Sequence, residues 1–318
     1  MISIPYYALL ETVFTGQKVK LCRALSLSDG KKVLLKIDQY GDKGMAAARC
    51  SYELAVAGNL YLPAICRPLK LEYCGDTPVL VMEDRGGLLL KQYMCGRSLS
   101  IEQFLSIARR LAAATGALHR HNIAHKNVNP ANIFIDPLTH EVFYTGFCAA
   151  APVCGEGAAP NPPPADNDPA YMSPEQTGLL DRAADYRTDF YSLGVIFFQL
   201  LTGRLPFPET DFSRLIHAHL AKKPPSLQRL RPSVPPPLAD VVQKLLAKNA
   251  AERYQSARAL MADLNRCRRE WRRAGQIRRF PLGRHDIPAI MQLPLKLYGR
   301  EKELELLQRS YQAVKREG

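Results

Sequence analysis

Two stretches hold the side chains on which any chemistry of this chain would rest. His125-Lys126-Asn127-Val128-Asn129-Pro130-Ala131-Asn132 sets three asparagines about one proline, and Gly146-Phe147-Cys148 begins fourteen residues past Asn132. Nearer the N-terminus, Lys36 closes the apolar run Val33-Leu34-Leu35, and Glu53 lies seventeen residues further on. A lysine steadied by a glutamate can grip phosphates, because its ammonium is a compact point charge. Proton abstraction needs a titratable group, and magnesium prefers carboxylate oxygens. Asparagine takes up no proton at neutral pH, and Gly146 offers no ligand. Asn132 is able to hold one metal ion, weakly.

The elements that must position these residues are legible in the patterning. Residues 19–24 and 33–37 read as strands flanking the turn Ser28-Asp29-Gly30. Residues 46–60 read as a helix, and 79–82 as a buried strand that enters the Gly86-Gly87 connection. From about residue 100 the pattern is mostly helical. Residues 101–121 repeat apolar positions at helical spacing, and 189–202 are nearly all apolar, as in a buried central helix. Residues 149–170 are rich in Ala, Pro and Gly and contain Pro160-Asn161-Pro162-Pro163-Pro164, which predicts an extended, poorly ordered loop.

With 318 residues, 47% of them hydrophobic, the chain has material for one large core or two lobes. No basic segment followed by an apolar one opens the chain, so no signal peptide is expected. The longest apolar run, residues 193–201, falls short of the roughly 20 residues that span a bilayer, so no membrane role is expected. The eight cysteines form no CxxC pair, which predicts a reduced, cytoplasmic setting without disulfides or zinc. The net charge of +13 gathers near the C-terminus in Arg266, Arg268, Arg269, Arg272, Arg273, Arg278, Arg279 and Arg284. Such a cluster attracts nucleic acid or an acidic protein surface. No aromatic-interleaved or groove-reading motif accompanies it, so a solvated helix face and linker are expected rather than nucleic-acid binding.

The motifs and their spacing resemble the protein-kinase fold over residues 7–271. Active members of that family read His-Arg-Asp-Leu-Lys-Pro-x-Asn where this chain has its asparagine-rich stretch, and Asp-Phe-Gly where it has Gly146-Phe147-Cys148. Val33-Leu34-Leu35-Lys36 resembles the strand of the phosphate-binding lysine, and Glu53 the helix glutamate that pairs with it. Met82-Glu83-Asp84 resembles the gatekeeper and hinge, which puts Glu83 and Asp84 beside the cofactor. Ser173-Pro174-Glu175 is similar to the Ala-Pro-Glu motif. Asp189 matches the helix aspartate that bonds the catalytic-loop backbone, and Arg253 the arginine that pairs with Glu175. His125 and Phe147 match the hydrophobic spine that joins the lobes. The implied fold class is α+β and bilobal, with a small β-rich N-lobe over residues 1–84 and a large helical C-lobe over residues 85–273.

A narrower resemblance rests on Tyr171-Met172-Ser173-Pro174-Glu175-Gln176-Thr177-Gly178, Asp185-Tyr186-Arg187-Thr188-Asp189, Phe280-Pro281-Leu282-Gly283 and Lys296-Leu297-Tyr298-Gly299-Arg300-Glu301. These are similar to large bacterial signalling proteins. In those, a serine/threonine-kinase-like domain precedes an AAA-type ATPase, helical repeats and often a GAF and histidine-kinase output. On that resemblance residues 274–297 are a linker. Residues 298–318 are the start of a truncated AAA-type ATPase domain, with an amphipathic helix over 301–315. The chain stops at Gly318, before any G-x-x-x-x-G-K-[ST] phosphate loop.

The resemblance also implies what is missing. Asn127 stands at the position of the catalytic base and Gly146 at that of the metal-binding aspartate. Asn129 replaces a lysine and Asn132 is retained. A general base contributes roughly 10²–10⁴-fold, so its loss alone leaves room for turnover, whereas loss of the metal anchor as well does not. The implied function is that of a pseudokinase, a regulatory module for an AAA-type ATPase or another signalling protein, in cis or in trans. Two alternatives stand beside it. One is a weak or atypical Ser/Thr kinase that borrows Asp136 or Glu141. The other is a metal-independent nucleotide sensor built on Lys36. ATP is the expected cofactor, bound weakly and without magnesium. Residues 13–18 keep a single glycine to cradle phosphates, and Leu34 replaces the small residue that covers the adenine. Without a ligand, Lys36 and Glu53 would serve as a staple. Residues 149–170 contain no Ser, Thr or Tyr to phosphorylate, and Lys126 replaces the arginine that would receive such a phosphate. Tyr171, Cys148 and Cys154 are expected to be packing residues.

Overall fold

Short apolar runs, the central ones buried on both faces, first build a five-stranded sheet. The structure is a computed structural model and describes residues 4–16, 19–38, 42–153, 167–180, 183–284 and 286–288. Its first strands are β1 (Tyr7–Thr15), β2 (Val19–Ser26) and β3 (Lys32–Asp38). The helix α1 (Lys43–Ala57) follows, then β4 (Pro68–Cys74) and β5 (Thr77–Glu83). The strands lie in the order β1-β2-β3-β5-β4, with every pairing antiparallel. Val33, Leu35 and Ile37 of β3 point to one face and pack with Cys22, Ala24, Val79 and Val81. Leu34 and Lys36 therefore take the other face, because side chains alternate along a strand. The helix α1 starts before the predicted residue 46, because the Asp42 side chain caps it by accepting from Gly44 N at 2.8 Å. It ends at Gly58, and its buried face carries Cys50, Tyr52 and Glu53.

The chain then passes through β6 (Leu88–Leu89) and α2 (Leu90–Met94) into α3 (Ile101–Arg120). A reciprocal Ser100–Gln103 capping box starts α3. Short strands follow: β7 (Ile123–Ala124), β8 (Ile133–Ile135), β9 (Val142–Tyr144) and β10 (Ala151–Pro152). They form two small sheets, β6-β8-β9 and β10-β7, that carry the loops of the site. The rest is helical: α4 (Arg187–Thr202), α5 (Phe212–Ala221), α6 (Leu227–Leu230), α7 (Pro236–Leu245) and α8 (Ala257–Ala274). The helix α4 is buried almost all round, as its apolar sequence predicts. The fold is α+β, with a β-rich small lobe and a helical large lobe.

Within the segment expected as a linker, residues 275–284 and Asp286 return against α8. Arg278 N donates to Glu270 Oε2 at 2.8 Å and Gly283 N to Asp263 Oδ2 at 2.8 Å. Asp286 accepts from Gln255 N at 2.7 Å and Ser256 Oγ at 2.8 Å, and the Phe280 ring lies 4.2 Å from the Arg266 guanidinium. The expected ATPase start at 298–318, its helix at 301–315, residues 154–166 of the Pro-rich loop, and Cys154 lie outside the described residues. Among the described residues, no helix is long and apolar enough to cross a membrane.

Candidate nucleotide cleft

Lys36 and Glu53 meet as predicted. Lys36 Nζ donates to Glu53 Oε2 at 2.6 Å, and Glu53 is wholly buried. Burial works to lower the Lys36 pKa, but the adjacent carboxylate outweighs it and holds the ammonium above its ordinary value. The second Glu53 oxygen, Oε1, accepts the Gly146 N–H at 2.9 Å. One carboxylate thus ties β3, α1 and the segment after β9 together.

The asparagine-rich loop is held from below by Asp189 at the start of α4. Its carboxylate accepts from His125 N at 2.9 Å, Lys126 N at 2.8 Å and His119 Nε2 at 2.8 Å. Burial raises the Asp189 pKa, but the His119 hydrogen bond and its neighbours more than reverse this, leaving it below the usual carboxylate value. His125 lies between Phe147 and Tyr144, at ring-centroid distances of 4.8 and 5.3 Å. Its Nε2 bonds the Thr145 carbonyl at 3.0 Å and its Nδ1 accepts Asn127 N at 3.2 Å. Burial lowers its pKa, consistent with a neutral imidazole.

Above this support the asparagines bond one another. Asn129 Nδ2 donates to Asn127 Oδ1 at 2.8 Å, and Asn129 Oδ1 accepts Ala131 N at 2.9 Å. Asn132 Nδ2 donates to the Asn127 carbonyl at 3.0 Å. Gly146 sits at φ +79°, where glycine is at ease, and a Cβ there would lie 2.7 Å from Asn132 Cγ and Oδ1. No carboxylate stands among Asn127, Asn129, Asn132 and Gly146. These four residues therefore offer magnesium no carboxylate oxygen, the ligand it commonly takes from a protein.

A cavity of about 900 Å³ opens over these residues, lined among others by Gly16, Lys36, Asn127, Asn129, Asn132 and Gly146. Two acids that the sequence reading did not single out line it as well. Asp38 Oδ2 accepts from Arg49 Nη2 at 2.6 Å, and Asp168 Oδ1 accepts Ala170 N at 3.0 Å. Asp38 lies two residues past Lys36 on the same face of β3, a signal the alternation contains. Asp168 is brought in by the activation segment. Asp136 and Glu141 turn elsewhere: Asp136 Oδ1 accepts Leu138 N at 2.8 Å, and Glu141 pairs with Arg110 at 3.2 Å. The hinge carboxylates do not line the cavity either. Glu83 is held by Arg67 and Arg85, each at 2.8 Å, and Asp84 by Arg23 at 3.1 Å. Opposite charges nearby claim both side chains before any ligand can.

Glu175 and Arg253 form a buried bidentate pair at 2.6 and 2.8 Å. Thr188 Oγ1 donates to Glu175 at 3.0 Å, and Arg253 also donates to the carbonyls of Ala247, Arg187 and Lys248. Tyr171 is packed, its hydroxyl donating to Gln199 Oε1 at 2.7 Å. Burial pushes the Cys50 thiol up to about 11 and raises that of Cys148, so both thiols at the cavity are protonated at neutral pH.

A two-lobed fold with a paired lysine and glutamate over an asparagine loop defines a kinase-like cleft. Residues 7–264 match the family model of the protein kinase domain, and the chain belongs to the protein-kinase family. It is 33% identical over 259 residues to the serine/threonine-protein kinase PknD of Mycobacterium tuberculosis, which covers 79% of this chain and 38% of that protein. Against the serine/threonine-protein kinase PrkC of Bacillus subtilis it is 28% identical over 263 residues, 81% of this chain and 40% of the other. It is also 39% identical over 168 residues to hybrid signal transduction histidine kinase G of Dictyostelium discoideum, 46% of this chain and 5% of that protein. The chain spans less than half the length of these curated relatives. Protein kinase domains bind ATP, and the Lys36–Glu53 pair fits the phosphate end of that task.

Proposed function

We propose that this domain is a pseudokinase, a catalytically impaired module that regulates or docks a signalling partner in the cytoplasm. The observation that carries the reading is the amide network of the catalytic loop. Asn127 Oδ1 is engaged by Asn129 at 2.8 Å, so the position that would take an acceptor's proton holds the loop instead. Gly146 adds no metal ligand, so useful transfer rates and magnesium dependence are not expected. The contacts that maintain the fold, those of Asp189 and of Glu175 with Arg253, are complete. The similarity to a protein named as a hybrid signal transduction histidine kinase supports a signalling role. An AAA-type ATPase, in cis or in trans, is the proposed partner. The test is phosphate transfer from radiolabelled ATP to a generic protein acceptor, with magnesium or manganese. Incorporation at background, equal to that of Asn127→Ala, is expected. Robust transfer that vanishes in Lys36→Met would overturn the proposal.

One observation favours a weak Ser/Thr kinase instead. Asp168 lines the same cavity as Asn127 and supplies a carboxylate there. Trace transfer by the wild-type chain that Asp168→Asn abolishes would establish that reading.

A further inference from the structure

In protein kinase domains the base of the nucleotide lies between a roof strand of the small lobe and a floor strand of the large lobe. It sits beside the connection between the lobes, with the phosphates running toward the lysine. Here the roof residue is Leu34, in register with Met82 on one side and Arg23 on the other. The floor is β8, whose central residue Phe134 pairs with Leu89 and Phe143. Leu34, Leu80, Met82, Leu89 and Phe134 are each 0% exposed and share one apolar cluster with Val13 and Leu21. Roof and floor are thus sealed into one solvent-free cluster, with the Arg23 guanidinium beside the floor ring. The cavity lining accordingly includes Lys36, Asn127 and Gly146 at the phosphate end, but not Leu34, Met82 or Phe134.

Polar contacts close the mouth of the same space. The Arg23 guanidinium carbon lies 5.9 Å from the Phe134 ring centroid, and its Nε donates to Asp84 at 3.1 and 3.2 Å. Its other nitrogens donate to the Gly87 carbonyl and to Glu11. Gln92 of the large lobe donates through Nε2 to the Val13 carbonyl at 2.9 Å. These bonds join β1 and β2 directly to the hinge and to α2.

We infer that Phe134 and Leu34 occupy the base position of the cleft, latched by Arg23, and that they set this domain's selectivity against adenine nucleotides. The inference deepens the pseudokinase reading and rests on it. An entering base must open the cluster that holds Leu34 and Phe134 and break the Arg23 contacts at the hinge. Apparent affinity then falls by the fraction of molecules in the open state, about 100-fold if that fraction is one in a hundred. Ligands that need only the phosphate end escape this penalty.

The test is calorimetric titration of the full chain with ATP, adenosine and inorganic tripolyphosphate, with and without magnesium. Phe134→Leu and Leu34→Ala should each tighten ATP and adenosine at least tenfold and leave tripolyphosphate unchanged. Should a core variant fail to fold, Arg23→Gln acts from the rim and should move ATP in the same direction by a few-fold. Wild-type chain that binds ATP and adenosine as tightly as every folded variant would overturn the inference. If that chain still transfers no phosphate, the pseudokinase reading survives. Transfer by the wild-type chain would defeat that reading, whatever the titrations show.

Discussion

Glu53 on α1 accepts the backbone N–H of Gly146 at 2.9 Å across the cleft. The bond joins the small lobe to the first residue of the activation segment, using the oxygen that Lys36 leaves free. The pair therefore has a structural task whether or not a ligand is bound.

Removing the Glu53 carboxylate leaves a part-buried ammonium and a buried amide without these partners. Breaking one side of such a pair costs about 3–5 kcal/mol, whereas replacing both sides by neutral groups costs less. Glu53→Ala should therefore destabilise the chain more in urea unfolding than Lys36→Met combined with Glu53→Gln. The reverse order, or losses below about 1 kcal/mol for both, would show that the pair is dispensable.

Placing an acid at Gly146 should not by itself create a magnesium site. The position has φ +79°, and a Cβ would meet Asn132 at 2.7 Å. Gly146→Asp should cost about 1–3 kcal/mol of stability and bring no magnesium-dependent rise in Tm with ATP. A clear magnesium-dependent rise would mean that Asn132 yields readily and that the single substitution rebuilds the metal site.

The Glu175–Arg253 pair anchors the end of the activation segment to the helical lobe. Arg253 also satisfies three carbonyls, so its loss strands several buried acceptors at once. Arg253→Met should cost about 3–5 kcal/mol, at the upper end of what single substitutions do. Glu175→Gln, which keeps acceptor capacity, should cost less. Equal and small effects in denaturant titrations would contradict this.

Acid should destabilise the fold in two stages. Burial, with Lys248 close by, pushes the His219 imidazole down to about 4, and burial also lowers that of His125. Each has a folded pKa below its unfolded one, so the unfolded chain binds the proton more readily. Stability is complete above about pH 6.5 and falls toward pH 4, by up to roughly 3 kcal/mol for His219. Asp189 and Glu175 have lowered folded values, so their contribution is present above the usual carboxylate range and is lost at still lower pH. The urea midpoint should drop between pH 7 and 4.5, and His219→Gln should flatten that drop. A midpoint independent of pH would refute the assignment.

The strands at 19–24 and 33–37, the helix at 101–121 and the central helix at 189–202 were all legible, with ends within two residues of those observed. Hydrophobic patterning is a local property, legible before an element is placed. The absence of acids at positions 127 and 146 is likewise written in the chain itself, because no packing adds a carboxylate to an asparagine or a glycine. Tertiary structure decided how those positions are used. It turned Asn129 onto Asn127, aimed both Glu53 oxygens at partners far apart in sequence, and drew the Glu83 and Asp84 side chains away from the cleft. It also sealed Phe134 and Leu34 into one apolar cluster and laid Arg23 across the hinge. Apart from the local Asn129–Asn127 and Arg85–Glu83 contacts, these join segments that are distant in the chain, and only packed backbones bring such side chains within bonding distance. Local pattern shows that Leu34 and Phe134 must be buried. Only the closed lobes show that they are buried in the same cluster.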